Sequence, residues 1–360
     1  MIEILDKAKC SGCEACAASC PKQCIQMQAD SEGFQYPVAN KEQCIQCKIC
    51  DTVCPIQFKS NRNAVKYTVV AQHKVPEQRY NSASGGAFFG LAETVIESGG
   101  IVYGVVFDEN FFVKHKRAES LADVEAMQGS KYVQSEMKDI YKTLRSDLES
   151  GRMVLFSGTP CQVEGIKRWL KKDYSNLYTV DLVCHGVASP KVWNKYCNFL
   201  EKQHGSSMKS YSFRSKEKGY HLNGTKICFK NGDEIYANDK SEKNDFMHLA
   251  YYDKICSRPS CHDCAFKSLE RISDLTLFDC WSLSEVAPEM EDDMGTTTIM
   301  VYTEKGNDLL RESAGKLRIK KVDGSKLIQL DGVNAIYSMI PHLKRAEFFS
   351  HLDEWDIERL

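Results

Sequence analysis

The chain has 360 residues, and its 47 basic and 49 acidic side chains leave a formal net charge of −2 at pH 7. This length allows an insert of about sixty residues beside one large domain or two smaller ones. The near-neutral charge gives no indication of a nucleic-acid partner, and the absence of any run of eighteen apolar residues argues against a membrane span.

The cysteine content points to a reducing compartment. Seventeen cysteines occur in the chain, grouped at spacings typical of metal sites rather than spread as in a disulfide scaffold. The segment from Met1 to Lys9 carries acidic residues and lacks the apolar stretch of a secretion signal. We therefore predict a cytoplasmic protein.

The first predicted element is a pair of cysteine runs, at 10–21 and 44–55, each spaced C-x2-C-x2-C-x3-C-P. Bacterial ferredoxins with two [4Fe-4S] clusters have this spacing, and in them the fourth cysteine of each run ligates the other cluster. The resulting assignment is Cys10, Cys13, Cys16 and Cys54 for one cluster, and Cys44, Cys47, Cys50 and Cys20 for the other.

Zinc is the competing interpretation of these runs, because pairs of C-x2-C also build tetrahedral zinc sites. Such sites normally stop at four ligands and do not carry two tandem triplets, so the spacing favours the clusters. Cys24 lies outside both runs and is predicted to be a spare thiol. We expect the ferredoxin domain over residues 1–60, with the polar stretch Lys59 to Asn63 as the linker that leaves it.

Beyond the linker, strand and helix patterns alternate, which predicts an α/β core with a largely parallel or mixed sheet and an α+β or α/β class overall. The pattern predicts strands at 67–71, 101–107, 153–156 and 178–183, and helices at 87–96, 120–127 and 135–149. After residue 211 the pattern predicts antiparallel strands, with a hairpin turn at Asn231-Gly232. A strand at 296–302, a short helix at 307–312 and a docked C-terminal helix in the last thirty residues complete the expectation.

Three loops of small residues are candidate phosphate sites. Ser82 to Gly86 opens a predicted helix, where backbone N–H groups and the helix dipole favour an anion. The loops Gly129 to Ser135 and Thr159-Pro160-Cys161 are similar. Alone, small residues before a helix are more often a simple cap, and the Gly129 to Ser135 loop has an ordinary solvated loop as its alternative. Together at one edge of a sheet, they would make a dinucleotide or flavin site.

A second group of cysteines leaves two ligand sets open for a third cluster. Cys256, Cys261 and Cys264 form C-x4-C-x2-C, a spacing shared with plant-type ferredoxins. Radical S-adenosylmethionine enzymes would show C-x3-C-x2-C, so that class is set aside. Buried free thiols are the alternative, which we favour for Cys197 and Cys228. The candidate sets are a local one, Cys256, Cys261, Cys264 and Cys280, and a convergent one, Cys161, Cys184, Cys261 and Cys264.

Taken together, these motifs resemble the beta-subunit family of coenzyme F420-reducing hydrogenases and dehydrogenases, in the form with a fused dicluster ferredoxin. The resemblance spans Cys10 to about Tyr302. The stretch Asp279-Cys280-Trp281-Ser282 departs from the family, whose members commonly show Asp-Phe-Trp-Gly. The motifs that carry the resemblance are Ser84-Gly85-Gly86, Gly129 to Ser135, Gly158 to Gln162, Cys184-His185-Gly186, Phe213-Arg214, Arg258 to Cys264, Ser273-Asp274 and Asp279.

The resemblance implies an FAD-binding α/β protein with its own [4Fe-4S] cluster. It favours the convergent cysteine set, while Cys280 stays a rival ligand. His185, His221 and Lys131 are candidate acid, base or phosphate contacts, but a structural or surface role is the favoured interpretation for each. The residues that would hold the flavin are Ser84, Gly85, Gly86, Lys131, Tyr132, Ser135, Thr159 and Pro160.

The predicted function is an iron-sulfur flavoprotein oxidoreductase that exchanges electrons among the clusters, FAD and a two-electron acceptor or donor such as coenzyme F420. Its expected partners are a ferredoxin, hydrogenase or dehydrogenase subunit and a small hydride acceptor. The alternatives are a non-catalytic electron-transfer subunit and an accessory protein without flavin. The expected divisions are 1–60 for the ferredoxin domain, 65–150 for the flavin loops, 151–320 for the third cluster and 321–360 for a helical tail.

Overall fold

The computed structural model describes residues 2–58, 60–222, 224–238 and 245–360; Lys59 of the predicted linker lies outside them. The strands are β1 (Ile25–Ala29), β2 (Gln35–Ala39), β3 (Tyr67–His73), β4 (Ile101–Phe107), β5 (Val113–Ala118), β6 (Val154–Ser157), β7 (Leu177–Leu182), β8 (Met208–Ser215), β9 (Gly224–Phe229), β10 (Glu234–Ala237), β11 (Leu275–Asp279), β12 (Thr297–Val301) and β13 (Leu317–Val322). The α-helices are α1 (Ala15–Ser19), α2 (Ile49–Thr52), α3 (Pro76–Asn81), α4 (Ala87–Glu97), α5 (Leu121–Glu125), α6 (Ile140–Glu149), α7 (Pro160–Leu170), α8 (Pro190–His204), α9 (Phe246–Tyr252), α10 (Glu304–Glu312), α11 (Gly324–Leu330) and α12 (Arg345–Ser350).

An eight-stranded mixed sheet forms the centre of the molecule, in the order β13-β3-β12-β11-β7-β6-β4-β5. Its four middle strands, β11, β7, β6 and β4, run parallel, and antiparallel strands flank them on both sides. Ligands of such sheets bind beyond the carboxyl ends of the parallel strands. The loops that follow β6, β7 and β11 are therefore brought to one edge.

The two faces of this sheet are covered by different helices. In β4, Val102 and Val106 pack with α4, α5 and α10, whereas Ile101 and Tyr103 face α6 and α7. This alternation is the period-two pattern of a strand buried on both faces. Cys13, Ala15 and Val53 of the N-terminal region join the second of these cores. The ferredoxin region thus packs directly on α6 and α7.

A three-stranded antiparallel sheet, β10-β9-β8, forms a second layer with α8 and α9. The predicted Asn231-Gly232 turn joins β9 to β10, with Gly232 at φ 99°. Phe348 and Leu352 of the C-terminal segment bury against this layer. No helix within the described ranges is long and apolar enough to cross a membrane.

Two helix predictions differ from the structure. The helix expected at 135–149 begins only at Ile140, because the N–H groups of Met137 and Lys138 donate to the Glu14 carboxylate, at 2.9 and 2.8 Å. The expected helical tail is shorter than predicted. Residue 321 still belongs to β13, and α11 and α12 are helices of seven and six residues separated by turns. The remaining predicted strands and helices occur with ends shifted by a few residues.

Candidate functional site

The four cysteines assigned to the first N-terminal cluster lie together. Burial raises the pKa of the Cys16 thiol well above its usual value, and the neighbouring Cys13, Cys10 and Cys54 raise it further. Cys13 is buried against α7, where a Cβ added to Gly165 would lie 3.2 Å from its sulfur. The glycine at this helical position therefore allows the cysteine loop to approach the helix.

The second N-terminal set surrounds its own cavity. That cavity is lined by five cysteines rather than four, because Cys24 joins the predicted set. The sulfurs of Cys20 and Cys24 are 3.4 Å apart. The cysteine spacing predicts a spare thiol at Cys24 and does not predict that it lies beside Cys20. The lining thiols are Cys20, Cys24, Cys44, Cys47 and Cys50.

The proximity of Cys24 makes the fourth ligand testable. We expect Cys20→Ala to lose about four irons per chain and Cys24→Ala to keep them, because the bacterial spacing gives the fourth position to the cysteine before proline. The measurement is iron and acid-labile sulfide on anaerobically purified protein. Iron retained in both single variants would contradict Cys20 as the only fourth ligand.

The convergent set of the second cysteine group meets in one cavity of about 300 Å³. Cys161 comes from the first turn of α7, Cys184 from the loop after β7, and Cys261 and Cys264 from a turn before β11. The N-terminal region also contributes Ala8, Lys9, Ser11 and Ile56 to the wall.

The rival cysteines lie elsewhere. Cys256 is fully buried, and its sulfur is 3.4 Å from the backbone oxygen of Ala250. Cys280 packs in a separate apolar cluster with Val70 and Leu283. Cys197 is buried as predicted, but Cys228 is only partly buried, with its sulfur 3.5 Å from a Glu234 oxygen. Among the rivals, none lines the cavity of the convergent set.

The donor chemistry of the convergent set fits an iron-sulfur cluster. Burial raises the pKa of the Cys261 thiol to about 12, so metal binding there must release protons. No group of three or more Cys, His, Asp or Glu in the described parts of the chain is arranged to hold a metal ion. A [4Fe-4S] cubane is larger than a single metal ion, so its thiolates must be spread around a cavity. The four cysteines of the convergent set line such a cavity.

A larger cavity of about 600 Å³ lies beside the cysteine cavity, at the carboxyl edge of the parallel strands. Its volume is in the usual range for small-molecule and cofactor sites. The three predicted loops all contribute to its wall. The residues common to both cavities are Thr159, Cys184, Gly186, Val187 and Asn334.

Six of the eight predicted flavin residues line this larger cavity, namely Ser84, Gly86, Lys131, Tyr132, Ser135 and Thr159. Gly85 does not: its N–H donates to Thr297 Oγ1 at 2.9 Å beneath the loop. Pro160 lies in the wall of the cysteine cavity instead. Lys131 donates to three backbone oxygens of the preceding turn, at 2.7 to 3.3 Å, so its ammonium holds that loop closed.

One wall of the large cavity combines aromatic rings with a partly buried ion pair. Arg214 Nη1 donates to Asp279 Oδ2 at 3.0 Å and to the Tyr132 hydroxyl at 3.3 Å, and its guanidinium carbon is 4.6 Å from the Trp281 ring centroid. Tyr220 donates to the other Asp279 oxygen at 3.0 Å. Spacing did not predict this wall, because its members come from distant segments.

The two candidate histidines, His185 and His221, differ in their position relative to the large cavity. His185 lines the large cavity, where burial lowers its pKa, and its Nε2 has no hydrogen-bond partner. His221 is outside the cavity wall and lies 3.6 Å from a Glu291 oxygen. Of the two, His185 alone is placed to contact a ligand in this cavity.

Two known family models match separate parts of the chain. Residues 151–325 match the family model for the C terminus of the coenzyme F420 hydrogenase/dehydrogenase beta subunit, and residues 9–58 match a 4Fe-4S dicluster domain. The chain therefore contains a region of the F420 hydrogenase/dehydrogenase beta-subunit family after a 4Fe-4S dicluster domain. Family and dicluster domain together mark a redox-enzyme-type subunit that transfers electrons.

Individual known proteins resemble this chain only weakly. No curated protein matches this chain. One similar solved structure is the F420-reducing [NiFe] hydrogenase complex from Methanosarcina barkeri. It shares 17% identity over 83% of this chain and 91% of the other, with a TM-score of 0.46.

A neutral histidine contacts two residues of the wall of the large cavity. Burial lowers the pKa of His115 to about 4. Its ring stacks on Phe156, with centroids 5.3 Å apart. Its nitrogens lie 3.1 Å from Ser135 Oγ and 3.1 Å from the Ser157 oxygen. Both serines line the cavity, so the neutral ring ties the Gly129 to Ser135 loop to the end of β6.

His115 makes stability depend on pH in a defined direction. Its pKa of about 4 in the folded state is below the unfolded value of roughly 6.5, so acidification through that window protonates only the unfolded chain. We expect His115→Gln to unfold at a lower temperature than wild type at pH 7, and the gap to narrow at pH 5. Thermal unfolding at the two pH values measures this. A gap that widens on acidification would contradict it.

Proposed function

We propose that this protein is an iron-sulfur flavoprotein oxidoreductase that holds FAD in the large cavity and a third [4Fe-4S] cluster on Cys161, Cys184, Cys261 and Cys264. The observation that carries the proposal is the shared wall of the two cavities, formed by Thr159, Cys184, Gly186, Val187 and Asn334. A cofactor in one cavity would be separated from a cofactor in the other by single residues.

The position of the dicluster domain supports a linear path. Cys161 stands at the first turn of α7 and Gly165, which contacts Cys13, stands four residues on. Four residues of α-helix span about 6 Å along the axis. The backbone of α7 therefore connects the first N-terminal set to the cysteine cavity, and Thr159 before α7 reaches the flavin cavity.

The loops around the large cavity suit a flavin nucleotide. Gly86 begins α4 without a side-chain cap, so the first N–H groups of that helix stay available to an anion such as a diphosphate. At another part of the wall, Tyr132 stacks on Tyr251 and Trp281 stacks on Tyr220, with ring centroids 4.2 and 4.3 Å apart, and these pairs give the cavity an aromatic surface suited to a planar heterocycle. When bound, the clusters would supply single electrons and the flavin would pair them for hydride exchange.

Coenzyme F420 or a related deazaflavin is the proposed two-electron partner, on the strength of the family. The cavity of about 600 Å³ leaves a ligand access to a wall that carries both Arg214 and the unpartnered His185 Nε2. These groups would orient an anionic or amide-bearing ring edge. An alternative two-electron partner would use the same wall.

The test is anaerobic reduction of the reconstituted protein by a reduced ferredoxin, followed by addition of F420 or NAD(P). We expect the flavin absorbance to bleach on reduction and to recover when the correct acceptor is added. Bleaching without recovery by any acceptor would favour an electron-transfer subunit that serves a separate catalytic partner. Absence of any flavin signal would refute the proposal.

A further inference from the structure

Arg258 is a buried cation without a carboxylate partner. Its side chain has 0% exposure, and its three donors reach neutral acceptors. Nε donates to the Cys10 oxygen at 2.9 Å, Nη1 to Gln134 Oε1 at 2.8 Å and Nη2 to the Gln35 oxygen at 3.0 Å. Across the described ranges, no acidic side chain forms an ion pair with it. A buried charge in this state is costly unless an opposite charge lies nearby.

Arg258 stands between two of the cysteine sets. A Cβ added to Gly12, inside the first cysteine run, would lie 2.8 Å from Nη1 and 2.9 Å from Cζ of the arginine. On its other side the arginine lines the cavity of Cys161, Cys184, Cys261 and Cys264.

A cluster on each set supplies the missing opposite charge. Four thiolates around a [4Fe-4S]2+ core carry about two net negative charges, and reduction adds another. A fixed cation stabilises the more negative state and so raises the reduction potential. The same guanidinium also rests on the rings of Tyr36 and Phe34, at 4.4 and 5.3 Å, which holds it in place.

We propose that Arg258 is a shared counter-ion for two clusters, the one on Cys10, Cys13, Cys16 and Cys54 and the one on Cys161, Cys184, Cys261 and Cys264, and that it raises the reduction potential of both. It is a positioning residue that acts through charge. The half of the inference that concerns the second of these clusters rests on the proposed function.

Two other cations provide matched controls. Lys267 lines the cavity of the convergent set, and its ammonium donates to the backbone oxygens of Cys184, at 2.6 Å, and Asn334, with no hydrogen bond to the N-terminal cysteine runs in the described residues. Arg345 bridges the same two regions as Arg258, since it donates to the Ser257 oxygen at 2.9 Å and to Glu32 Oε1 at 3.0 Å. Unlike Arg258, it is neutralised by a carboxylate.

The experiment is an anaerobic redox titration followed by electron paramagnetic resonance on full-length protein, after iron and sulfide have been counted in each variant. We expect Arg258→Met to lower both potentials, each by at least a tenfold change in the reduction equilibrium, about 59 mV for one electron. Lys267→Met should lower only the potential of the cluster on Cys161, Cys184, Cys261 and Cys264. Arg345→Met should shift neither.

A second variant keeps the test decisive if Arg258→Met fails to assemble. Gln134→Glu places a carboxylate where Gln134 Oε1 now accepts from Arg258, and so neutralises the arginine without removing it. It should lower both potentials. Unshifted potentials in Gln134→Glu with the clusters present would overturn the inference. A wild-type protein with only the two N-terminal clusters would refute the third cluster, while a shift at the Cys10 set would still support the counter-ion role.

Discussion

Replacement of Cys161 by alanine is expected to remove about four of about twelve irons per chain and to leave the flavin bound. The cysteine projects from the first turn of α7 into the cavity that also receives Cys184, Cys261 and Cys264. Without one of the four thiolates, one iron of the cluster has no protein ligand. Reduction of the flavin by electrons delivered to the N-terminal clusters should then be lost.

Cys256→Ala and Cys280→Ala are the matched controls for this prediction. Both cysteines are buried, but they lie in other apolar clusters and line neither cavity. Each variant should keep about twelve irons per chain, although both lose some packing. Iron loss in Cys280→Ala together with retention in Cys161→Ala would mean that the local cysteine set holds the cluster.

Gly85→Ala is expected to destabilise the protein by about 1–3 kcal/mol and to reduce its flavin content. A Cβ at this position would lie 2.3 Å from the backbone oxygen of Ala71 in β3 and 2.5 Å from the Thr297 nitrogen in β12. Neither backbone atom can move without disturbing the central sheet. The loop that begins α4 must shift instead, and with it the wall formed by Ser84 and Gly86.

Flavin per chain and the temperature of thermal unfolding measure this effect. Gly315→Ala is the control, because a Cβ there would meet no atom within 4 Å. It should leave both quantities at their wild-type values. Full flavin content in Gly85→Ala would show that the Ser84-Gly85-Gly86 loop is not part of the flavin site.

The N-terminal domain and the central sheet could be predicted because their signals are local. Cluster ligands from one loop must lie a few residues apart, so the two cysteine runs are visible in the sequence. The buried strands at 101–107 and 178–183 appear as continuous apolar or β-branched runs. The same reasoning gave the turn at Asn231-Gly232, whose backbone needs a positive φ at the glycine.

The contacts that complete the site could not be predicted, because they join segments far apart in the chain. Arg214 meets Asp279 across 65 residues, and Arg258 meets Cys10 across 248. A long-range contact also explains why α6 begins at Ile140 and not at residue 135. The Glu14 carboxylate accepts the N–H groups of Met137 and Lys138, which precede the helix. Local spacing carries no information about such pairs.

The central claim is that one chain carries three clusters and one flavin in adjoining sites. Iron, acid-labile sulfide and released flavin per chain, measured on anaerobically purified and reconstituted protein, test it most directly. We predict about twelve irons, an equal amount of sulfide and one FAD. About eight irons without flavin would contradict the claim and would leave the large domain as an accessory to a ferredoxin.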